Sequence, residues 1–213
     1  SMRITAYAER LLKGLDTVKW PEPLKEMQRN WIGKSTGCEL DFPLADNTAS
    51  IRAFTTRIDT IYGVTFMVIA PEHELVAQIT TDAQRQAVND YVEVARNRSE
   101  RDRMSEVKRI SGVFTGAYVI NPFNKEKIPV WIADYVLAGY GTGAVMAVPS
   151  SDPRDYAFAK HFNLPIINIL EGANTDITKD NFEAKSGTII NSDFLNGLPW
   201  HEAMEKALQH AEA

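Results

Sequence analysis

Two polar segments far apart in the chain carry the side chains best suited to chemistry. One is Thr55-Thr56-Arg57-Ile58-Asp59-Thr60; the other is Gly139-Tyr140-Gly141-Thr142-Gly143-Ala144-Val145-Met146-Ala147-Val148-Pro149, continuing through Ser150-Ser151-Asp152-Pro153-Arg154-Asp155. Three threonines and an arginine within six residues concentrate short hydroxyls beside one permanent cation. That set suits ribose hydroxyls, phosphates and a positioned water. The same composition also suits a structural role, because threonine is common in strands and Asp59 or Thr60 can cap a helical turn. In the second segment Pro153 places Asp152 at a helix N-cap, where it reads equally as cap and as site residue. Asp155 then falls on the third helical residue, where a capping box and the helix dipole both favour an acid.

These residues need elements to position them. Short alternating and apolar runs over 37–42, 50–55 and 65–69 predict strands, so the first segment lies on a strand-to-turn crossing. Residues 117–120 and 128–132, joined by Asn121-Pro122-Phe123-Asn124, predict a hairpin. Residues 144–148 predict a short buried strand approached through Gly139, Gly141 and Gly143. On it Met146 and Val148 alternate with Val145 and Ala147, so one pair faces the core and the other a cavity. Helices are predicted within 71–104, from Asp152-Pro153 onward with Tyr156, Phe158, Ala159 and Phe162, and over 198–208; 166–170 predicts another strand, and 172–185 a polar connection. At the start, Ile4 to Leu15 and the face Leu24, Met27 and Trp31 predict two helices separated by Pro21 to Pro23, the second ending near Gly33.

Bulk properties exclude several classes. A chain of 213 residues with 44% hydrophobic content supports a real core in one globular domain with appended helices. No apolar run approaches the roughly 20 residues of a membrane helix, and no signal pattern opens the chain, so a soluble, cytoplasmic protein is expected. One cysteine, Cys38, and four scattered histidines argue against a structural zinc site and leave no internal disulfide. A net charge of −5 argues against a free-standing nucleic-acid binder, though a domain that receives only the end of a nucleic-acid strand can be acidic. Ser1 reads as a cloning remnant and the chain as a piece of a larger enzyme, monomeric in isolation.

Together the two segments resemble the walls of the editing pocket in leucyl-tRNA synthetases. The run Met27-Gln28-Arg29-Asn30-Trp31-Ile32-Gly33-Lys34-Ser35 is similar to the stretch by which that synthetase leads into its insertion. The matches keep the family order and cover nearly the whole chain after Ser1. The resemblance implies an α+β fold with a mixed, barrel-like β core and peripheral helices, shared with the valyl and isoleucyl editing domains. It implies lead-in helices over 1–35, an editing core over 36–198 and a returning C-terminal helix over 199–213. The implied activity is hydrolysis of the ester joining isoleucine, norvaline or a similar wrong amino acid to tRNA(Leu), with leucine excluded. The implied partners are the aminoacyl-adenosine end of that tRNA and the remainder of the parent synthetase; no metal or other cofactor is implied. Isoleucyl and valyl relatives usually carry histidine where this chain has Met146 and lack the run at 29–33.

By this resemblance Asp155 holds the substrate's α-ammonium by a charge-assisted hydrogen bond and so places the carbonyl. Thr60 is the discriminator, its β-branched side chain stiff enough to exclude the γ-branch of leucine. Such a second site answers a physical limit, since one methylene offers a synthetic site only about 1–3 kcal/mol of discrimination. Thr56 orients substrate and water; Thr55 and Arg57 contact substrate, Met146 and Val148 line its side-chain pocket, and Tyr140 packs on the terminal adenine. Asp152 is a substrate-binding residue, and Arg154 supports the carboxylates or touches the nucleic-acid backbone, although Arg154 also reads as a surface ion pair. Two departures stand out: Ser150-Ser151 replaces the Gly-His of many bacterial members, and Ile58 replaces the usual proline. A histidine base is therefore excluded at that position, and Asp155, Thr56 and the substrate's own ribose hydroxyl are expected to do its work.

Other readings carry less. A serine hydrolase built on Ser150 or Ser151 with His73, His161, His201 or His210 lacks the Gly-x-Ser-x-Gly elbow. Arg103-Met104-Ser105 echoes the Lys-Met-Ser signature of the synthetic site, but without its partner motif ATP-dependent aminoacylation is not expected. The basic run from Arg96 to Arg109 is interleaved with acids and reads as a solvated helix in preference to a tRNA contact. A non-catalytic module that only positions the tRNA 3′ end is the remaining alternative.

Overall fold

Gly33 ends the second helix as the spacing predicts. α1 (Ala8–Gly14) follows a 3-10 turn over Ile4–Tyr7, and α2 (Glu22–Ile32) closes on Gly33 at φ 65°, whose N–H donates to Arg29 O. The computed structural model describes residues 4–34, 37–98, 110–139, 141–171 and 187–212. Tyr140, most of the basic run and the polar connection at 172–185 lie outside the described residues. The chain divides into two compact units, Ser1–Thr36 and Gly37–Ala213. In the first, Leu24, Met27 and Trp31 do share one face of α2, yet that face is exposed, Trp31 to 88%. Its visible ties are ion pairs, Arg29 to Glu22 and Glu26 and Lys34 to Glu9.

The second unit is built on six principal strands: β1 (Cys38–Pro43), β2 (Ser50–Thr55), β3 (Phe66–Ile69), β4 (Val113–Ile120), β5 (Lys127–Ile132) and β6 (Ala144–Ala147). β1 and β2 form an antiparallel hairpin, and a four-stranded sheet runs β4-β5-β3-β6. That sheet is mixed, since β3 is parallel to β5 and antiparallel to β6. The hairpin closes the ring at both ends. Leu44, just after β1, bridges Val119 of β4, with Ala45 N–H donating to Tyr118 O at 2.9 Å, while β2 lies alongside β6. Period-two alternation then fills the inside with Leu40 and Phe42, Ile51 and Ala53, Met67 and Ile69, Ile128 and Val130, and Ala144 and Met146. Each large side chain so buried contributes about 1.5–3 kcal/mol.

Helices cover this core from outside. α3 (Val76–Ile79) and α4 (Arg85–Arg96) follow β3 within the predicted helical region. α5 (Pro153–Phe162) lays Phe158 and Ala159 on the outer face of the sheet, where Phe66, Val68 and Ala147 make a second apolar cluster. α6 (Trp200–Glu212) buries Ala203 and Ala207 and packs on the turn that follows β2. Residues 166–169 do not form the predicted strand. The strand there is limited to β7 (Leu170–Glu171), paired with β8 (Thr188–Ile189), and the buried Ile169 extends that pairing only by accepting the Ile190 N–H on its carbonyl at 2.9 Å. No helix among the described residues is long and apolar enough to cross a membrane.

Candidate active site

The chain leaves β2 at Thr55 and turns at once into a 3-10 helix over Ile58–Gly63, all six residues of which are buried. Two of the three threonine hydroxyls stabilise this turn. Thr55 Oγ1 accepts from Arg57 N–H at 3.0 Å, and Thr60 donates to Arg57 O at 2.8 Å. Thr56 is the exposed one. The Arg57 guanidinium forks onto the fully buried Asp59 at 2.9 and 2.8 Å and lies 5.5 Å from the Trp200 ring centroid on α6. From the β4–β5 connection, Asn121 Nδ2 donates to Ile61 O at 2.9 Å. The threonine turn is thus held on several sides, and Arg57 is a brace for it through Asp59.

The second segment ends β6 and starts α5. Ser151 and Asp152 N–H both donate to Val148 O, and Asp152 caps the helix by accepting from Arg154 and Asp155 N–H. Arg154 also forks onto Asp152, at 3.2 and 2.9 Å. Although burial opposes it, these contacts hold the Asp152 carboxyl below its ordinary range. Asp155 does not complete a capping box. Its side chain turns inward, 4% exposed, where Oδ2 accepts Val148 N–H at 2.9 Å and Oδ1 accepts the Tyr135 hydroxyl at 3.0 Å. Burial first, and then the Asp152 charge, push the Asp155 carboxyl up to about 7 against the opposing pull of those two donors and Arg154.

Tertiary structure brings the two segments together around Val148. Gly63, the last residue of the threonine turn, approaches Val148 so closely that a Cβ there would stand 3.0 Å from Val148 Cγ1. A Cβ at Gly141 would stand 3.6 Å from Cβ of Phe54, the residue before Thr55. Thr55, Thr56, Arg57, Thr60, Met146, Val148, Asp152, Arg154 and Asp155 therefore belong to one region. The predicted alternation on β6 holds: Met146 and Val148 face the inner core, 6% exposed each, and Ala147 faces the outer one, which α5 covers. Two grooves of about 410 and 480 Å³, one floored by Thr80, Thr81 and Gly116 and the other by Tyr91, Ser111 and Asp134, share no residue with this region.

Sequence reasoning missed Tyr135, Asn121 and Trp200, because each acts through a partner distant in the chain. No hydrogen bond joins Ser150 or Ser151 to a histidine; both hydroxyls are buried without a partner among the described residues. His73 instead accepts Leu75 N–H on Nδ1 and stands against the glycine loop, its Cδ2 3.3 Å from a Cβ built at Gly143. No group of three or more His, Cys, Asp or Glu among the described residues is placed to hold a metal ion.

The raised Asp155 carboxyl has a consequence for stability. Unfolding returns it to an ordinary value near 3.8, so between about pH 4 and 7 the folded chain holds a proton that the unfolded chain releases. Stability from this group is fully present at low pH and is lost as pH rises through about 7. Asp155→Asn is therefore expected to raise the melting temperature at about pH 8, on the order of 1–3 kcal/mol in stability, with the gain vanishing toward about pH 4. Melting curves of both chains across this range check it; a gain independent of pH would place the effect elsewhere.

A family model described as the editing domain of leucyl-tRNA synthetase matches residues 29–212. The leucine–tRNA ligase of Cytophaga hutchinsonii is 64% identical over 212 residues, covering 100% of this chain and 23% of its own. That of Flavobacterium johnsoniae is 57% identical over 218 residues, again 100% and 23%. Among solved structures, the ternary complex of Agrobacterium radiobacter LeuRS with tRNA and LeuAMS matches with a TM-score of 0.75 at 35% identity, over 99% of this chain and 23% of that one. The mixed α+β architecture is matched by that solved structure. The chain thus spans about a quarter of the length of the curated relatives it matches, and it belongs to the leucyl-tRNA synthetase editing-domain family.

Proposed function

We propose that this chain hydrolyses the aminoacyl ester of tRNA(Leu) wrongly charged with norvaline, isoleucine or a similar amino acid, and spares leucyl-tRNA. The observation that carries the reading is the meeting at Val148 of a buried carboxylate, Asp155, and a rigid threonine turn ending in Thr60–Gly63. A carboxylate that burial holds near the midpoint of its titration gains strongly when a cation approaches it. The α-ammonium of an aminoacyl ester supplies that cation, and its capture sets the position of the carbonyl one bond away.

Thr60, its hydroxyl tied to Arg57 O, presents a fixed branched surface that rejects leucine. Thr56, exposed at the rim, orients the attacking water together with the terminal ribose. Water oxygen bonds to the carbonyl carbon as the ester C–O bond breaks. The ribose oxygen takes a proton and leaves as the free hydroxyl, and the amino acid departs as its carboxylate. Arg57 and Arg154, forked onto Asp59 and Asp152, keep the two walls in place, with Thr55 supporting the turn. Asp152, Met146 and Val148 shape the site, and Tyr140 meets the terminal adenine. The partners of this reading are the 3′ end of tRNA(Leu) and the remainder of a longer, cytoplasmic synthetase.

Deacylation of norvalyl-tRNA(Leu) and isoleucyl-tRNA(Leu) by this chain tests it, with leucyl-tRNA(Leu) as control. Release of the two noncognate amino acids well above spontaneous hydrolysis, with leucine retained, is expected. Absence of release, together with no binding of a non-hydrolysable norvalyl-adenosine analogue, overturns it.

A further inference from the structure

Asp155 is a buried carboxylate that pairs with no cation among the described residues. Arg154, its neighbour in the chain, is forked onto Asp152, and the Asp152 charge disfavours ionisation of Asp155. What holds its two oxygens are two neutral donors from opposite ends of the 133–148 stretch. Oδ2 takes the Val148 N–H at the end of β6, and Oδ1 takes the Tyr135 hydroxyl from the segment after β5. The Tyr135 ring is itself set by the outer core, packed against Phe158 of α5 with centroids 5.9 Å apart and planes at 60°. Two donors acting on different oxygens restrain rotation of the carboxylate plane, which one donor leaves free. Because a hydrogen bond to a carboxylate is stronger than one to the neutral acid, the phenol also favours the charged form.

We propose that Tyr135 is a positioning residue for ester hydrolysis: its hydroxyl, paired with the Val148 amide, orients the Asp155 carboxylate and favours its charged form. The proposal rests on the reading above for its effect on activity, and on geometry alone for its effect on Asp155. Tyr135→Phe keeps every ring contact with Phe158 and removes only the donor. Asp155 then retains its proton to higher pH, and fewer molecules at neutral pH can receive an α-ammonium.

The test is a carbon-13 titration of the aspartate carboxyls of the whole chain, with Asp155→Asn used to assign the resonance, followed by the pH profile of kcat/KM for norvalyl-tRNA(Leu). In Tyr135→Phe the Asp155 midpoint is expected to rise by about one pH unit, and the acid limb of the profile to move with it. Replacing Tyr135 by 3-fluorotyrosine, a stronger donor, is expected to move both the other way, which keeps the test open if the phenylalanine variant folds poorly. An unmoved midpoint in both variants overturns the proposal, as does a loss of rate uniform in pH. A shifted midpoint in a chain that deacylates nothing upholds the role of Tyr135 and overturns the proposed function instead.

Discussion

Asp155→Ala is expected to slow release of every noncognate amino acid from tRNA(Leu) about a hundredfold or more, without regard to side chain. The lack of selectivity follows from what Asp155 is proposed to hold, since the α-ammonium is common to all aminoacyl esters. Folding should survive the change, because two effects on stability oppose each other. Removing the carboxylate relieves the burial that raises its titration to about 7, while the Val148 N–H and Tyr135 hydroxyl lose their acceptor. An unpaired buried donor costs about 1–3 kcal/mol, comparable with the relief. Single-turnover deacylation of norvalyl- and isoleucyl-tRNA(Leu) reads the prediction, with a melting curve beside it. Unchanged turnover in a folded variant removes Asp155 from the mechanism; loss confined to one amino acid makes it part of the side-chain pocket instead.

Thr60→Ala is expected to turn leucyl-tRNA(Leu) from a protected species into a substrate, its hydrolysis rising about ten- to a hundredfold above background. The side chain is 3% exposed and its hydroxyl is bonded to Arg57 O, so its rotamer is set and its branch occupies a defined volume. Alanine removes that volume while the turn keeps its other restraints from Thr55, Asp59 and Asn121. Thr60→Val separates shape from hydrogen bonding. If volume rejects leucine, the valine variant still protects leucyl-tRNA(Leu). Hydrolysis of leucyl-tRNA(Leu) by both variants would assign discrimination to the hydroxyl, and continued protection by Thr60→Ala would remove Thr60 as the discriminator.

Much of this protein is determined by short-range pattern and is therefore readable from the sequence. The strands β1, β2, β3, β5 and β6, the hairpin joining β4 to β5, and the ends of α2 and α5 follow from side-chain alternation and from Gly33, Asp152 and Pro153 acting on their immediate neighbours. The two polar segments also declare themselves locally, because their residue types are concentrated. Tertiary structure decided what those residues face. Asp155 looks like a capping-box acid by position, yet its carboxylate turns to Val148 and Tyr135. Arg57 looks like a free cation beside three hydroxyls, yet a buried aspartate two residues on takes its fork and Trp200 lies against it. β6 alternates as read, yet only packing decides that its Ala147 face meets α5 while Met146 and Val148 face the inner core. Apart from the Arg57–Asp59 fork, which is local, the deciding quantity is a long-range one. Burial raises the free energy of a bare charge or polar group, so the chain settles on partners that only closure of the barrel and docking of the helices bring within reach.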